Sequence, residues 1–390
     1  MTIPQHFDNH LLPLWTDDKL VTPAFVYDES RIRQKLDLLV KIKKQSNCQV
    51  LYSIKALSFS DLLHKIAAHV NGFSVSSVFE SRLAREVLGK KGSVHLCSPG
   101  ISEKDIQDVN EYCDYISFNS IPQWERLKSR IENVNSGLRI NPGISFVKDE
   151  RYDPCRPWSK LGVPLSRLEG LLNDKNLFTG LSGLHVHSNC ESDNYQQLVE
   201  TMEYITQNQP GLVSKIQWLN LGGGYLLNNT AGIEVLCNLV NKLSGEFGLR
   251  VFIEPGKAIV GDAGYLVASV IDMFDSGNKT IAILDTTINH LPEVFEYQYK
   301  PAILQESSAG KYHYRLAGAS CLSGDLFGDY TFDKPLETGS RIIFANVGAY
   351  MIVKASMFNG INLPAIYALA TTNDLRLLKT FDYSHYRDRL

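Results

Sequence analysis

The sequence predicts an α/β fold class: a (β/α)8 TIM-type barrel followed by a mainly antiparallel β-domain. Three observations carry that expectation. Between about residues 50 and 255 a short β-branched run alternates with a helical stretch, over and over. After Pro255 the helical patterns thin out and strand-like runs follow one another directly. The 390 residues are 44% hydrophobic and 21% charged, an ordinary globular composition with enough apolar material for a barrel and a smaller companion.

The barrel strands are read at Val50–Ile54, Phe73–Ser76, Val94–Cys97, Tyr115–Phe118, Gly137–Ile140, Gly183–His187, Trp218–Leu221 and Val251–Glu254. Helix-like segments lie between them, for example Asp61–Val70, Phe79–Leu88, Tyr195–Asn208 and Glu234–Phe247. Strands that alternate with helices of this length pair in parallel. Eight of them suggest closure rather than an open sheet. The later strands are Tyr265–Met273, Lys279–Leu284, Tyr312–Ala317 and Arg341–Ala345. Thr22–Asp28 is also strand-like; it precedes the barrel, which lets it join the second domain. The expected division is a barrel over 24–258 and a β-domain built from 1–23 and 259–390.

A net charge of -3 offers no basic field for nucleic acid. No run approaches the roughly 18 apolar residues of a membrane span. Met1–Trp15 lacks the basic start and apolar stretch of a signal peptide. The seven cysteines are odd in number and contain no C-x-x-C pair, which favours a reducing cytoplasm over a disulfide framework.

Barrel active sites are built at the C-terminal ends of the strands. Those positions hold Lys55, Ser74, Ser98, Asn119, Asn141, His187, Gly222-Gly223-Gly224 and Glu254. A lysine closing a buried strand, if desolvated, is a good Schiff-base former; the alternative is a side chain snorkelling to solvent. The glycine triplet lets backbone N–H groups converge on an anion, and a tight turn explains it equally well. A carboxylate at Glu254 can keep a pyridine nitrogen protonated, or can simply cap a turn. His185 and His187, two apart on a strand, point to the same face. A metal needs further ligands that are not evident nearby, so no metal is expected and an imidazole stacked on a ring is the better reading. In the β-domain, Cys321 can protonate a carbanion and Asp325 can bind an ammonium, although a lone cysteine is more often packing.

The order of these motifs is more specific than any one of them. Tyr52-Ser53-Ile54-Lys55-Ala56, Gly183-Leu184-His185-Val186-His187, Leu219-Asn220-Leu221-Gly222-Gly223-Gly224 and Ile253-Glu254-Pro255-Gly256 are followed by Cys321-Leu322-Ser323-Gly324-Asp325 and Gly348-Ala349-Tyr350. From about Thr22 to Leu369 the chain resembles the alanine-racemase-fold (fold type III) pyridoxal-phosphate decarboxylases, which include ornithine and diaminopimelate decarboxylases. Within that group it is most similar to the carboxynorspermidine/carboxyspermidine decarboxylase branch. The stretches that carry this are Tyr152-Asp153-Pro154-Cys155, Ser159-Lys160-Leu161-Gly162, Asn289-His290-Leu291-Pro292-Glu293 and Phe358-Asn359-Gly360-Ile361.

The resemblance implies pyridoxal 5'-phosphate as cofactor, carried by Lys55 as a Schiff base. It implies His187 stacked on the ring, Glu254 at the pyridine nitrogen, and the amides of Gly222–Gly224 with the Tyr350 hydroxyl on the phosphate. Cys321 is implied as proton donor to Cα, contributed across a homodimer with shared active sites. Asp285, His290, Glu293 and Asp325 are implied as readers of the substrate's distal amines. The expected reaction converts carboxynorspermidine or carboxyspermidine to norspermidine or spermidine with release of CO2. Alternatives are a related decarboxylase of another basic amino acid or of a specialised-biosynthesis (for example siderophore) intermediate, and a non-catalytic cofactor-binding homologue. A racemase is disfavoured, because similar racemases place arginine at the ring nitrogen. Lys257 stands where relatives often carry an acid or arginine: it serves the phosphate or marks a different substrate. Ser188-Asn189-Cys190 replaces the glycine-serine that commonly follows the stacking histidine.

Overall fold

The computed structural model describes residues 8–168 and 179–390. The chain divides into two compact units, Lys35–Ile259 and Met1–Gln34 with Val260–Leu390. The first unit holds strands β2 (Gln49–Ser53), β3 (Gly72–Val75), β4 (Ser93–Ser98), β5 (Tyr115–Phe118), β6 (Asn135–Asn141), β7 (Val163–Pro164), β8 (Leu181–Val186), β9 (Trp218–Asn220) and β10 (Arg250–Ile253), counted after β1 (Ala24–Asp28). Their order is β5-β4-β3-β2-β10-β9-β8-β6, and a β5–β6 pairing closes the ring, with β7 added outside β6. All these pairings are parallel. The eight strands read from the sequence are the eight staves of the barrel.

Local signals fix the helices between the staves. Ser77 opens Val78–Leu88 by accepting the Glu80 N–H, while the Glu80 carboxylate accepts the Ser76 N–H at 2.6 Å, so two otherwise orphaned donors are satisfied. Asn229 caps Thr230–Phe247, and Gly248 ends that helix in the left-handed region at φ 67°, where a Cβ would be strained.

The barrel interior is packed by aromatic rings. Tyr115, Trp218 and Phe252 cluster with Leu51, and His95 stacks on Tyr115 with centroids 4.0 Å apart. Trp218 fits only because two neighbouring staves carry glycine. A Cβ at Gly183 would lie 1.9 Å from Trp218 Cε2, and one at Gly137 would lie 2.5 Å from its Cζ2. The ring takes the volume those side chains would fill.

The second unit is the mainly antiparallel sheet, made of β1 with β11 (Gly264–Ser276), β12 (Lys279–Leu284), β13 (Tyr312–Ala317), β14 (Leu326–Phe332), β15 (Arg341–Ala345), β16 (Ala365–Leu369) and β17 (Leu375–Lys379). Its order is β14-β13-β12-β11-β1-β16-β17, with β15 also on β11. The β1–β16 and β12–β13 pairings are parallel and the others antiparallel. Strand β11 serves both halves. Its first residues pair with β1 and β15, and after an irregularity between Val270 and Asp272 the rest pairs with β12. An extra residue of this kind bends a strand and lets it change partners. The expected boundary at residue 24 puts β1 in the barrel. Here all five β1 residues are buried between β11 and β16, and the division falls after Gln34.

Candidate active site

Strand ends β2, β8, β9 and β10 bring the barrel's chemistry together. Lys55 sits in the 3-10 turn Ile54–Ala56 directly after β2. That turn lies against Glu254-Pro255-Gly256: the Ser53 N–H donates to Pro255 O at 3.0 Å, and a Cβ on Gly256 would meet that of Ala56 at 3.2 Å. Lys55, His185, His187 and Glu254 line one cavity of about 610 Å³. Lys55 is exposed to it. Of the two readings at this strand end, a desolvated amine and one reaching solvent, the structure holds the accessible one, at the cavity wall.

Glu254 is buried at 8% exposure. Its Oε1 accepts from Asn220 Nδ2 at 2.7 Å, and its Oε2 faces His185 Nε2 at 3.5 Å, an ion-pair separation. Burial pushes a carboxyl toward its neutral form, but the His185 charge, the Asn220 donor and the Lys55 ammonium outweigh it and hold Glu254 well below the usual carboxylate range. His187 behaves oppositely. Burial, then the positive charges of Arg139, Lys55 and His185, hold its imidazole neutral, far below the ordinary histidine value. Its Nδ1 accepts the Gly223 N–H at 3.0 Å, which fixes the ring and places any proton on Nε2.

That bond changes the reading of the glycine triplet. The Gly222 N–H donates to Asn220 Oδ1 at 2.9 Å and the Gly223 N–H to His187, so of the three amides only Gly224 remains a candidate for an anion. The glycines are needed for close approach. A Cβ on Gly222 would stand 2.8 Å from His187 Cβ, on Gly223 2.4 Å from Glu254 O, and on Gly224 2.0 Å from Asn189 O. The triplet therefore packs the His187 and Glu254 loops against each other. Lys257 pairs with Glu191 Oε1 at 2.6 Å, so its charge is already matched.

The sequence reading assigns no site role to Cys97, Arg139, Asn220 or the segment Arg151–Leu161, whose 152–155 and 159–161 stretches serve it only for the resemblance, and all of them touch this site. Cys97 and Arg139 line the cavity, as do Arg151, Asp153 and Arg156. Buried Arg139 Nε has no hydrogen-bond partner among the described residues. An arginine inside the Gly137–Ile140 strand run was the available signal, since a buried guanidinium needs a partner. Asn119 at the end of β5 fastens the loop rather than reaching ligand: its Nδ2 donates to Lys160 O and its Oδ1 accepts the Gly162 N–H, both at 2.8 Å.

The other expected site residues belong to the sheet unit. Cys321 is exposed, its N–H bound to Asn359 Oδ1 at 2.9 Å. Asp325 is buried; its carboxylate accepts the Ile288 N–H at 2.6 Å and both the N–H and the hydroxyl of Ser320. Expected to bind an amine, it instead ties together the loop that carries Cys321. Asp285 is likewise engaged, by the Thr22 hydroxyl at 2.6 Å and the Ser269 N–H at 2.8 Å. His290 is fully buried, with Nδ1 against Thr286 Oγ1 at 2.8 Å, and burial lowers its pKa to about 3. Burial keeps it neutral, and its Nε2 has no hydrogen-bond partner among the described residues. Glu293 lies 3.5 Å from Lys354 Nζ. Tyr350 holds the left-handed conformation at φ 64° where Met351–Lys354 begins.

The cavity's residues suit pyridoxal phosphate: an accessible amine, a neutral immobilised imidazole to stack, a carboxylate held ionised, and an arginine with an unpartnered buried donor. His185, His187 and Glu254 also present ligand atoms within 4.8 Å of one another. Their inner hydrogen bonds to Gly223 and Asn220 orient them as a ring-binding set.

Comparison with known proteins agrees. Residues 29–261 match the family model described as pyridoxal-dependent decarboxylase, pyridoxal binding domain. The chain is 35% identical to carboxyaminopropylagmatine decarboxylase of Synechocystis sp., over 95% of this chain and 96% of that protein. It is 31% identical to carboxynorspermidine/carboxyspermidine decarboxylase of Campylobacter jejuni, over 95% and 98%. The crystal structure of Campylobacter jejuni carboxynorspermidine decarboxylase complexed with norspermidine superposes with a TM-score of 0.86 at 29% identity, covering 95% of this chain and all of that one. The chain belongs to the pyridoxal-dependent decarboxylases.

Proposed function

We propose that this enzyme removes the α-carboxylate from a carboxyaminopropyl-substituted amine, the substrate type of carboxynorspermidine, carboxyspermidine and carboxyaminopropylagmatine. The observation that carries the reading is the grouping of Lys55, His187 and Glu254 on one cavity in a chain that aligns end to end with decarboxylases of such compounds. Bound pyridoxal phosphate supplies the electron sink for the pair left behind when CO2 departs. Lys55 would hold the cofactor through its amine and yield that place to the substrate's α-amine. His187 would offer its neutral imidazole to the ring, and Glu254, held ionised, would keep the ring nitrogen's proton. Arg139 and the Gly224 amide offer donors for anionic groups. Cys321 delivers a proton to Cα, from the second subunit of a cytoplasmic homodimer. Tyr350 is assigned to the phosphate, and Glu293, which lies 3.5 Å from Lys354 Nζ, would read a distal cation by exchanging that partner for it. The seven cysteines are free, and no helix among the described residues is long and apolar enough to cross a membrane.

The guanidino compound stands beside the two triamine carboxylates because the Synechocystis relative, at 35% identity, is named for it. CO2 release from carboxyaminopropylagmatine, carboxynorspermidine, carboxyspermidine, diaminopimelate, ornithine, lysine and arginine tests the reading. At least one of the first three should exceed every simple amino acid in kcat/KM by about 10²-fold, the discrimination available from a matched pocket. Preference for diaminopimelate or ornithine would reject it.

A further inference from the structure

The ionised state and aim of Glu254 depend on a neighbour that the proposed steps leave unused. His185 is 2% exposed and sits two residues before the stacking histidine, on the same face of β8. Its two nitrogens face two different acids. Nδ1 lies 3.2 Å from Cys97 Sγ at the end of β4, and Nε2 lies 3.5 Å from Glu254 Oε2 beyond β10. Arg139 Nη1 approaches the same sulfur from β6 at 3.9 Å.

We infer that His185 is a positioning residue that binds Cys97 and Glu254 into one charge-coupled unit at the cavity wall, fixing the carboxylate that serves the ring nitrogen. The inference rests on the placement of Glu254 at that nitrogen. Two acids on one imidazole favour its cationic form, and that cation in turn favours the carboxylate and the thiolate. The directions agree. Burial alone would lower His185, yet Cys97 and Glu254 raise it to about 9. Burial alone would raise Cys97, yet His185 and Arg139 bring it below the ordinary thiol value. The other cations coupled to the unit are Lys55 and Arg139, while burial keeps His187 and His95 neutral. Cys155 is the internal contrast: also buried near Arg139, but with Asp153 rather than a histidine beside it, its thiol is pushed up to about 12. A histidine shared by two acids orients the carboxylate without direct contact to the substrate.

Alkylation of the full-length apoenzyme by iodoacetamide, followed peptide by peptide with mass spectrometry across pH, tests this without any substrate. The readout therefore stands whichever amine the enzyme decarboxylates. Wild-type Cys97 should react with a midpoint below that of a free thiol, about 8.5. His185→Gln should raise that midpoint by about one unit or more, and Glu254→Gln should lower it, since the imidazolium then serves the thiol alone. In the holoenzyme, His185→Gln should cut kcat and cofactor affinity each about tenfold, with KM changed less than about twofold. A wild-type Cys97 midpoint at or above that of a free thiol overturns the inference even if the variants fail to fold. So does a His185→Gln protein with unchanged midpoint, kcat and cofactor affinity.

Discussion

Lys55→Ala is expected to reduce turnover by about 10³-fold or more, on the scale of losing a positioned acid–base group, and to abolish the visible absorbance of bound cofactor. The side chain follows β2, is exposed to the cavity and shares that wall with Glu254 and His187. Its removal leaves no buried group unpaired, so the stability of the apoprotein should change by no more than a surface substitution does, about 0.5 kcal/mol. Activity and colour should fall together in a folded protein, measured by CO2 release, absorbance and thermal unfolding. Retention of both would mean that another lysine carries the cofactor.

Glu254→Gln is the second large effect. The amide keeps the shape and can still meet Asn220, but it cannot hold a proton on the ring nitrogen as a carboxylate does. A loss in kcat of about 10²-fold or more is expected, the scale of removing one preorganised electrostatic contact to a developing charge. The change also strips His185 of one of the two acids that raise it to about 9. The sign of the pH effect follows. Charged His185 stabilises the fold fully below its ordinary value of 6.5, and that stabilisation is lost as pH rises through about 9. Glu254, held low, stabilises above its ordinary value of 4.5 and loses that contribution as pH falls into strong acid. His185 therefore costs wild-type apoprotein stability between about pH 6.5 and 9, Cys97, held below the ordinary thiol value, opposes that loss as it ionises, and Glu254→Gln should shrink the His185 contribution in denaturant titrations at each pH.

Most of the barrel was legible because parallel strands buried on both faces read as continuous apolar runs separated by amphipathic helices. The strand ends then named Lys55, His187 and Glu254 directly. Pairing was harder to read. Strand β1 precedes the barrel in the chain, yet pairs with β11 and β16, far along the sequence. Side-chain commitments were harder still. Asp325, Asp285 and His290 have the right chemistry for an amine, but each is bound or enclosed by groups of its own unit, and no spacing rule reveals that. Gly222 and Gly223 look like an anion cradle and turn out to be contact points between loops. Cys97 was hidden because a cysteine one residue before a strand end looks like packing until His185 is seen 3.2 Å away.

The most direct test of the central claim is chemical. Borohydride reduction of the holoenzyme fixes the cofactor to whichever lysine holds it, and peptide mass mapping then finds that lysine. The cavity wall offers two, Lys55 and Lys160. The cofactor mass is expected on the peptide containing Lys55. Its recovery on Lys160, or on any other lysine with Lys55 unmodified, would contradict the account.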